Sequence, residues 1–190
     1  MVILEKWNQR HSQADGFGYP ARVLTENLHL LPTHGKALDL ACGRGANTLC
    51  LAENTNLAVH AWDISNIAIE RLREEAGARD LSIHTEVKNV TQQVIAPSSF
   101  DMILVCHFLE RSLAPALIDA LRPEGLLFYQ TFTRDNVNDS GPSNPAMRLG
   151  DNELLELFGS LSLRVYREEQ RLGAVNQGWR DLAMLVAEKV

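Results

Sequence analysis

Between residues 36 and 132 the chain alternates short apolar runs with segments of helical spacing. The runs are "KALDLA" (36–41), "LAVHAWD" (57–63), "LSIHTEV" (81–87), "FDMILVCHF" (100–108) and "GLLFYQTF" (125–132). Helical patterns over 46–54, 66–76 and about 112–121 separate several of them. This alternation predicts βαβ units, a parallel sheet and right-handed crossovers. The fourth run is apolar enough to be buried on both faces. Two further runs, 161–170 and 179–189, are joined by a short link and read as an antiparallel hairpin. The expected architecture is α/β: a doubly wound sheet with helices on both faces and one reversed strand at the end.

Local signals refine this outline. Residues 2–12 read as a helix with Ile3, Leu4 and Trp7 on one side, and "DGFGYP" (15–20) as a loop. Val23, Leu24, Leu28 and Leu31 predict a helix over 21–31, stopped by Pro32. Ser65 is placed to cap the helix at 66–76, with Gly77 ending it. Asp151 is placed to cap another at 152–158, with Gly159 ending that one. The polar stretch 133–149 is a loop of a length that is often functional.

Composition narrows the function classes. The chain has 190 residues, enough to bury a core without disulfides or metals, and a single domain over 1–190 is expected. The net charge is −6 and there is no basic run, which disfavours nucleic acid as a partner. No apolar run is long enough to span a bilayer, and "MVILEKWNQRH" lacks a signal-peptide core. Cys42, Cys50 and Cys106 form no C-x-x-C pair, which fits a reducing cytoplasm. The six histidines show no metal-ligand spacing with them, so no metal is expected.

The first apolar run leads into Cys42-Gly43-Arg44-Gly45 and then a helix. Gly43 allows a sharp turn, and Gly45 lets a ligand approach without meeting a Cβ. The next strand ends in Asp63, twenty residues after Gly43. An acid there can accept from both hydroxyls of a ribose. Turn and acid together predict an adenosine-containing cofactor. A dinucleotide fingerprint needs a third glycine, and Thr48 stands in its place, which disfavours a nicotinamide-dependent oxidoreductase.

"ALDLACGRGANT" resembles the first motif of class I S-adenosylmethionine-dependent methyltransferases, and "VHAWDIS" their second. "FDMILVCHFLE" and "ALRPEGLLFYQTF" resemble their fourth and fifth strands, and "WRDLAMLVAEK" their reversed last strand. The resemblance runs from about Trp7 to Lys189. Within that superfamily "LDLACGRGANTLCLA", "AWDISNIAIERL", W-x-x-R-H at Trp7–His11 and "DLAMLVAEK" are similar to the tellurite-resistance type. The resemblance implies a Rossmann-like sheet of order 3-2-1-4-5-7-6 with strand 7 antiparallel, and a cap or lid over residues 1–34. It implies S-adenosylmethionine as cofactor and S-adenosylhomocysteine as product. The implied contacts are Asp39 to the methionine amino group, Asp63 to the ribose, and Ile64, Asn89 and Val90 to the adenine. Ala41, Gly43, Gly45, Asn47 and Cys106 complete the cofactor set, with Trp7 and Arg10 covering the methionine end. Two departures stand out: Asn89 replaces the usual acid after the third strand, and Gln170-Arg171 replaces a His-Arg pair before the last hairpin.

Methyl transfer from a sulfonium needs positioning and exclusion of water; positioning alone supplies up to about 7–11 kcal/mol. A base is needed only for a protonated acceptor. The expected acceptor is a small molecule such as a thiol or a chalcogen oxyanion. His107 and Arg171 are the expected catalytic residues. His11, Tyr19, Arg134, Arg148 and Arg180 are further candidates for the lid or the acceptor pocket. Cys42 and Cys106 are expected to be packed rather than nucleophilic. A protein that binds the cofactor without catalysis, and an enzyme acting on RNA or protein with a partner, are the alternatives. Monomer and homodimer both stay open.

Overall fold

The computed structural model describes residues 3–190. Seven strands form one sheet: β1 (Lys36–Leu40), β2 (Ala58–Asp63), β3 (Ile83–Val87), β4 (Phe100–Cys106), β5 (Leu121–Phe132), β6 (Ser162–Glu168) and β7 (Leu182–Glu188). Their order is β3-β2-β1-β4-β5-β7-β6, as expected. The first five strands run parallel, and β7 lies antiparallel between β5 and β6. Asp39 pairs with Ala61 on one side and Leu104 on the other. This register sets the carboxyl ends of β1, β2 and β4 side by side.

The helices cover both faces. Those following the N-terminal α1 (Ile3–Gln13) are α2 (Arg22–Thr25), α3 (Ala46–Asn54), α4 (Asn66–Ala78), α5 (Ala114–Ala120) and α6 (Glu153–Leu157). Val23 and Leu24 of α2 and Leu51 of α3 pack on Val59, Leu104, Phe128 and Val186. On the other face Leu117 of α5 and Leu154 of α6 join Leu38, Ile103, Leu127 and Leu185. Every β4 side chain except Asp101 is buried, because neighbouring strands flank it and helices cover it. Helix α1 buries no residue and lies on the outside, against α4. Among the described residues no helix is long and apolar enough to cross a membrane.

Several boundaries depart from the pattern reading. The helix expected over 21–31 is α2 followed by a 3-10 turn at Leu28–Leu30. Asn27 breaks it: its side-chain NH2 donates to the Val23 carbonyl at 2.9 Å, giving the backbone a local alternative to the helix. Residue 2 of the first expected helix lies outside the described residues. Gly77 does not end α4, which runs on to Ala78 and leaves through Asp80 at φ +54°. Ser65 does cap α4, accepting from the Ala68 N–H at 3.2 Å. Asp151 does not cap α6; Asn152 holds that position at φ +59°, and Glu153 reaches back to the Gly150 N–H at 2.7 Å. "RPEG" lies inside β5 as a bulge, where the register steps from Phe100↔Leu121 to Met102↔Leu126.

Candidate active site

The chain leaves β1 in a run of left-handed residues: Ala41 (φ +56°), Gly43 (φ +55°) and Gly45 (φ +90°). A non-glycine residue there costs about 1–2 kcal/mol, so Ala41 is strained at the point where the turn begins. The Gly45 conformation starts α3, and a Cβ on it would lie 2.4 Å from Leu72 Cδ1. Its glycine therefore serves the packing of α3 on α4, not the approach of a ligand. Above Gly43 the nearest atom is His11 Cε1, 3.4 Å from where a Cβ would sit.

Asp39 is 1% exposed. Its Oδ2 accepts from the Thr48 hydroxyl at 2.6 Å, while Oδ1 has no partner. Among the described residues only Asn136 Oδ1 and Trp179 Nε1 share that state, and neither carries a formal charge. Burial pushes the Asp39 carboxyl up to about 7, and the nearby Asp63 charge adds to the effect. Thr48, read above as a missing glycine, is thus the hydroxyl that holds this carboxyl.

Asp63 ends β2, and its carboxylate joins the two motifs directly. Oδ2 accepts from the Gly43 N–H and Oδ1 from the Ser65 N–H, both at 2.8 Å. Each oxygen keeps a lone pair for a further donor. Ile64 follows, half-buried, and Val90 is buried against Trp62 and Leu40. Asn89 Oδ1 is already engaged by the Thr91 hydroxyl at 2.8 Å and the Thr91 N–H at 3.2 Å.

Helix α1 lies over the turn. Asn8 accepts from Ser65 Oγ at 2.7 Å and donates to Asn66 at 2.8 Å. Trp7 stacks on His11 with centroids 5.8 Å apart, and Arg10 lies 5.4 Å from the Trp7 ring. Burial lowers the His11 pKa, opposed by the Asp63 carboxylate. The end of α1 and the chain after it are clasped by two arginines that no local sequence pattern marks. Arg44 donates to the carbonyls of Asp15 and Gly16, and Arg71 to those of Ala14 and Ser12. Tyr19 projects into solvent, 96% exposed.

Asn47, in the first turn of α3, accepts from the Ala21 N–H at 2.7 Å and lies beside the Cys106 thiol. Burial raises the Cys42 and Cys106 thiols well above their ordinary range, so neither is a thiolate at neutral pH. His107 follows β4 at φ +56°. Its Nε2 lies 3.2 Å from Gln130 Nε2, and its ring centroid lies 5.1 Å from that of Phe132.

The second expected catalytic residue lies in different company. Arg171 bonds to Asp135 Oδ1 (3.3 Å) and to the Asn136 carbonyl (2.9 Å). Together with Asp151, Glu168, Glu169 and Gln170 it lines a cleft of about 580 Å³. No bond joins it to the glycine turn or to His107 among the described residues. Arg148, expected to contact an acceptor, is 4% exposed and donates to the carbonyls of Thr133, Ser140 and Pro142. It holds the 133–149 loop together instead. Arg180 likewise caps carbonyls, those of Gln170, Leu172, Ala174 and Gln177. Arg134 is exposed, beside Gly150.

Residues 37–125, slightly under half of the chain, match a family model described as a methyltransferase domain. None of the curated protein sequences matches the chain significantly. Solved structures match it closely in fold. One is a chain solved in work on the conversion of a disulfide bond into a thioacetal group during echinomycin biosynthesis. It has a TM-score of 0.74 and 19% identity, over 98% of this chain and 92% of its own. TehB from Haemophilus influenzae has a TM-score of 0.69 and 20% identity, over 98% of this chain and 67% of its own. A SAM-dependent methyltransferase from Aquifex aeolicus has a TM-score of 0.71 and 14% identity, over 96% and 98%. The fold is that of class I S-adenosylmethionine-dependent methyltransferases, and the cofactor implied by the domain match and these neighbours is S-adenosylmethionine. At these identities the likeness to any one neighbour, TehB included, is a likeness of fold.

Proposed function

We propose that the chain transfers the methyl group of S-adenosylmethionine to a small-molecule nucleophile, a thiol, chalcogen oxyanion or similar group. The observation that carries this reading is the buried Asp39 carboxyl with one oxygen unpartnered, beside a glycine turn that Asp63 bonds to directly. An ammonium group is the natural partner for such an oxygen, since a buried charge is retained only when paired. S-adenosylmethionine presents an ammonium, two ribose hydroxyls and a methyl activated by a positive sulfur.

Asp39 then holds the amino group, and the free lone pairs of Asp63 take the ribose hydroxyls. Ile64 and Val90 flank the adenine. Asn89 must share its Oδ1 with Thr91 to take part. Ala41, Gly43, Asn47 and Cys106 shape the floor. Trp7, Arg10 and His11 cover it from α1 as a lid. His107 faces the acceptor, and Arg171 acts at a distance by attracting an anion. Three free, buried cysteines accord with a reducing, cytoplasmic setting.

Calorimetric titration of S-adenosylhomocysteine into the wild-type chain and Asp63→Ala tests the reading. Loss of the carboxylate should weaken binding by about 1.5–3 kcal/mol, the scale of charge-assisted hydrogen bonds. Absence of binding to the wild type would sink the proposal. Binding without turnover of thiols, selenite or tellurite would leave a non-catalytic cofactor-binding protein. Competition by NAD would point to a dehydrogenase.

A further inference from the structure

The hydrogen bonds around Gln130 determine which nitrogen of His107 carries the proton. The Val23 N–H donates to Gln130 Oε1 at 2.9 Å in a buried setting. A backbone N–H only donates, so that end of the side chain is the amide oxygen and the other end is NH2. This NH2 lies 3.2 Å from His107 Nε2. An amide nitrogen donates and does not accept, so His107 Nε2 must offer a lone pair. In the neutral ring the proton then sits on Nδ1. Burial lowers the pKa of the ring, and no charged side chain among the described residues bonds to it. Its backbone N–H is tied to the Gln130 carbonyl at 2.8 Å, and Phe132 packs against the ring. Tautomer and orientation are set by the same strand, β5.

We propose that Gln130 is a positioning residue that holds His107 as the Nδ1–H tautomer, and that His107 donates this N–H to an acceptor arriving already anionic, a thiolate or a chalcogen oxyanion. This rests on the methyltransferase reading and names its substrate class. The acceptor's lone pair forms the bond to the methyl carbon while the carbon–sulfur bond breaks and its electron pair passes to sulfur. The acceptor loses one negative charge and the sulfonium its positive charge, so a thiolate gives a neutral thioether and a dianionic oxyanion a monoanion, and no proton is left over. A neutral amine or alcohol would leave one, but Nδ1 already carries a proton and Nε2 is engaged by Gln130. Among the described residues no carboxylate bonds to the ring to stabilise an imidazolium.

Long-range ¹H–¹⁵N correlation of the imidazole nitrogens at neutral pH, with and without S-adenosylhomocysteine and with His107→Gln for assignment, reads the tautomer. The expected spectrum shows a pyrrole-type Nδ1 and a pyridine-type Nε2 for His107. An Nε2–H tautomer or a doubly protonated ring overturns the proposal. Gln130→Glu separates wiring from architecture. Its carboxylate still accepts from the Val23 N–H but cannot donate to Nε2, so the proton should move to Nε2 or the ring should become charged. An unchanged spectrum in that variant overturns the proposal. Where the proton moves to Nε2, turnover of a thiol, selenite and tellurite panel should fall about 100-fold in Gln130→Glu, the scale of losing an oriented donor; a charged ring keeps its Nδ1–H and should spare turnover. In either case S-adenosylhomocysteine affinity should stay close to that of the wild type. Faster methylation of a neutral amine than of any anion in a panel would overturn the substrate class. Failure of the wild type to bind S-adenosylhomocysteine would remove the donor role and leave the tautomer assignment standing.

Discussion

Two buried charged groups, Asp39 at the end of β1 and Arg148 in the loop after β5, are used in opposite ways. Arg148 spends its guanidinium on three backbone carbonyls of its own loop. Asp181 works from the other side of that loop, accepting from Ser140 Oγ and from the N–H groups of Val137 and Asn138. Asp39 keeps one oxygen unpartnered, and Ala41 two residues on is strained. A buried charge with all its bonds made is part of the architecture. One with a bond left to make is held ready for something that arrives later, and the fold bears the cost until then.

The contrast predicts opposite signs for substitutions on the two sides. The largest effect is expected for Arg148→Ala, which orphans three carbonyls and should destabilise the chain by about 3–5 kcal/mol. A urea midpoint within error of wild type would show that the loop does not depend on it. Asp39→Asn should do the reverse. The folded-state pKa of Asp39 is raised to about 7, so its proton is retained in the folded chain where the unfolded chain has lost it. Stability is thus fullest below the unfolded value of about 4 and declines as pH rises from there to about 7. Asp39→Asn should stabilise the chain by a few kcal/mol at pH 8, change little at pH 4, and weaken S-adenosylhomocysteine binding at least about tenfold. Denaturation curves at both pH values, with calorimetry alongside, test all three. Binding near pH 6 should also release a proton, detectable as a dependence of the heat on buffer ionisation enthalpy.

Asp181 carries the opposite pH sign. Burial alone would raise its pKa, but the bonds from Ser140, Val137 and Asn138 hold it below the ordinary range. Its contribution is present above the unfolded pKa and lost as pH falls through the folded one. Asp181→Asn should therefore cost stability at pH 7 and little at pH 2–3, a comparison that chemical denaturation settles. Ala41→Gly should give a smaller gain of about 1 kcal/mol, by relieving the positive φ. A loss instead would show that the Ala41 methyl contributes more through packing than the strain removes. Arg44→Ala is expected to have the smallest effect, below about 1 kcal/mol on stability, because its bonds to Asp15 and Gly16 are exposed. It should act on cofactor affinity by loosening the chain after α1, read by titration.

The same division explains what was legible in the sequence. The proposed cofactor side is written in short spacings: glycine turn, acid at the next strand end, Ser65 cap. Its parts meet within thirty residues, and Gly43 bonds to the very acid found twenty residues on. Thr48 was visible only as an absent glycine, because its hydroxyl matters through Asp39 on the preceding strand. The proposed acceptor side depends on contacts distant in sequence. Val23 meets Gln130 across 107 positions, and Val137 meets Asp181 across 44. No local pattern marks such pairs, so Arg148 reads as a ligand contact and nothing in the sequence distinguishes Gln130. The helix break at Asn27 is hidden because apolar periodicity continues across it, and the bulge in β5 because Arg122-Pro123-Glu124-Gly125 has the composition of a turn.

The junction of the two sides has its own consequence. Ala21 and Val23, separated by one residue, donate their backbone N–H groups to Asn47 at the start of α3 and to Gln130 beside His107. Both bonds are donated by peptide groups, which every residue but proline supplies. Drift at positions 21 and 23 can change their side chains without severing either link. A single proline would cut one link and spare the other, so each half could be uncoupled in turn while the rest of the chain kept its sequence.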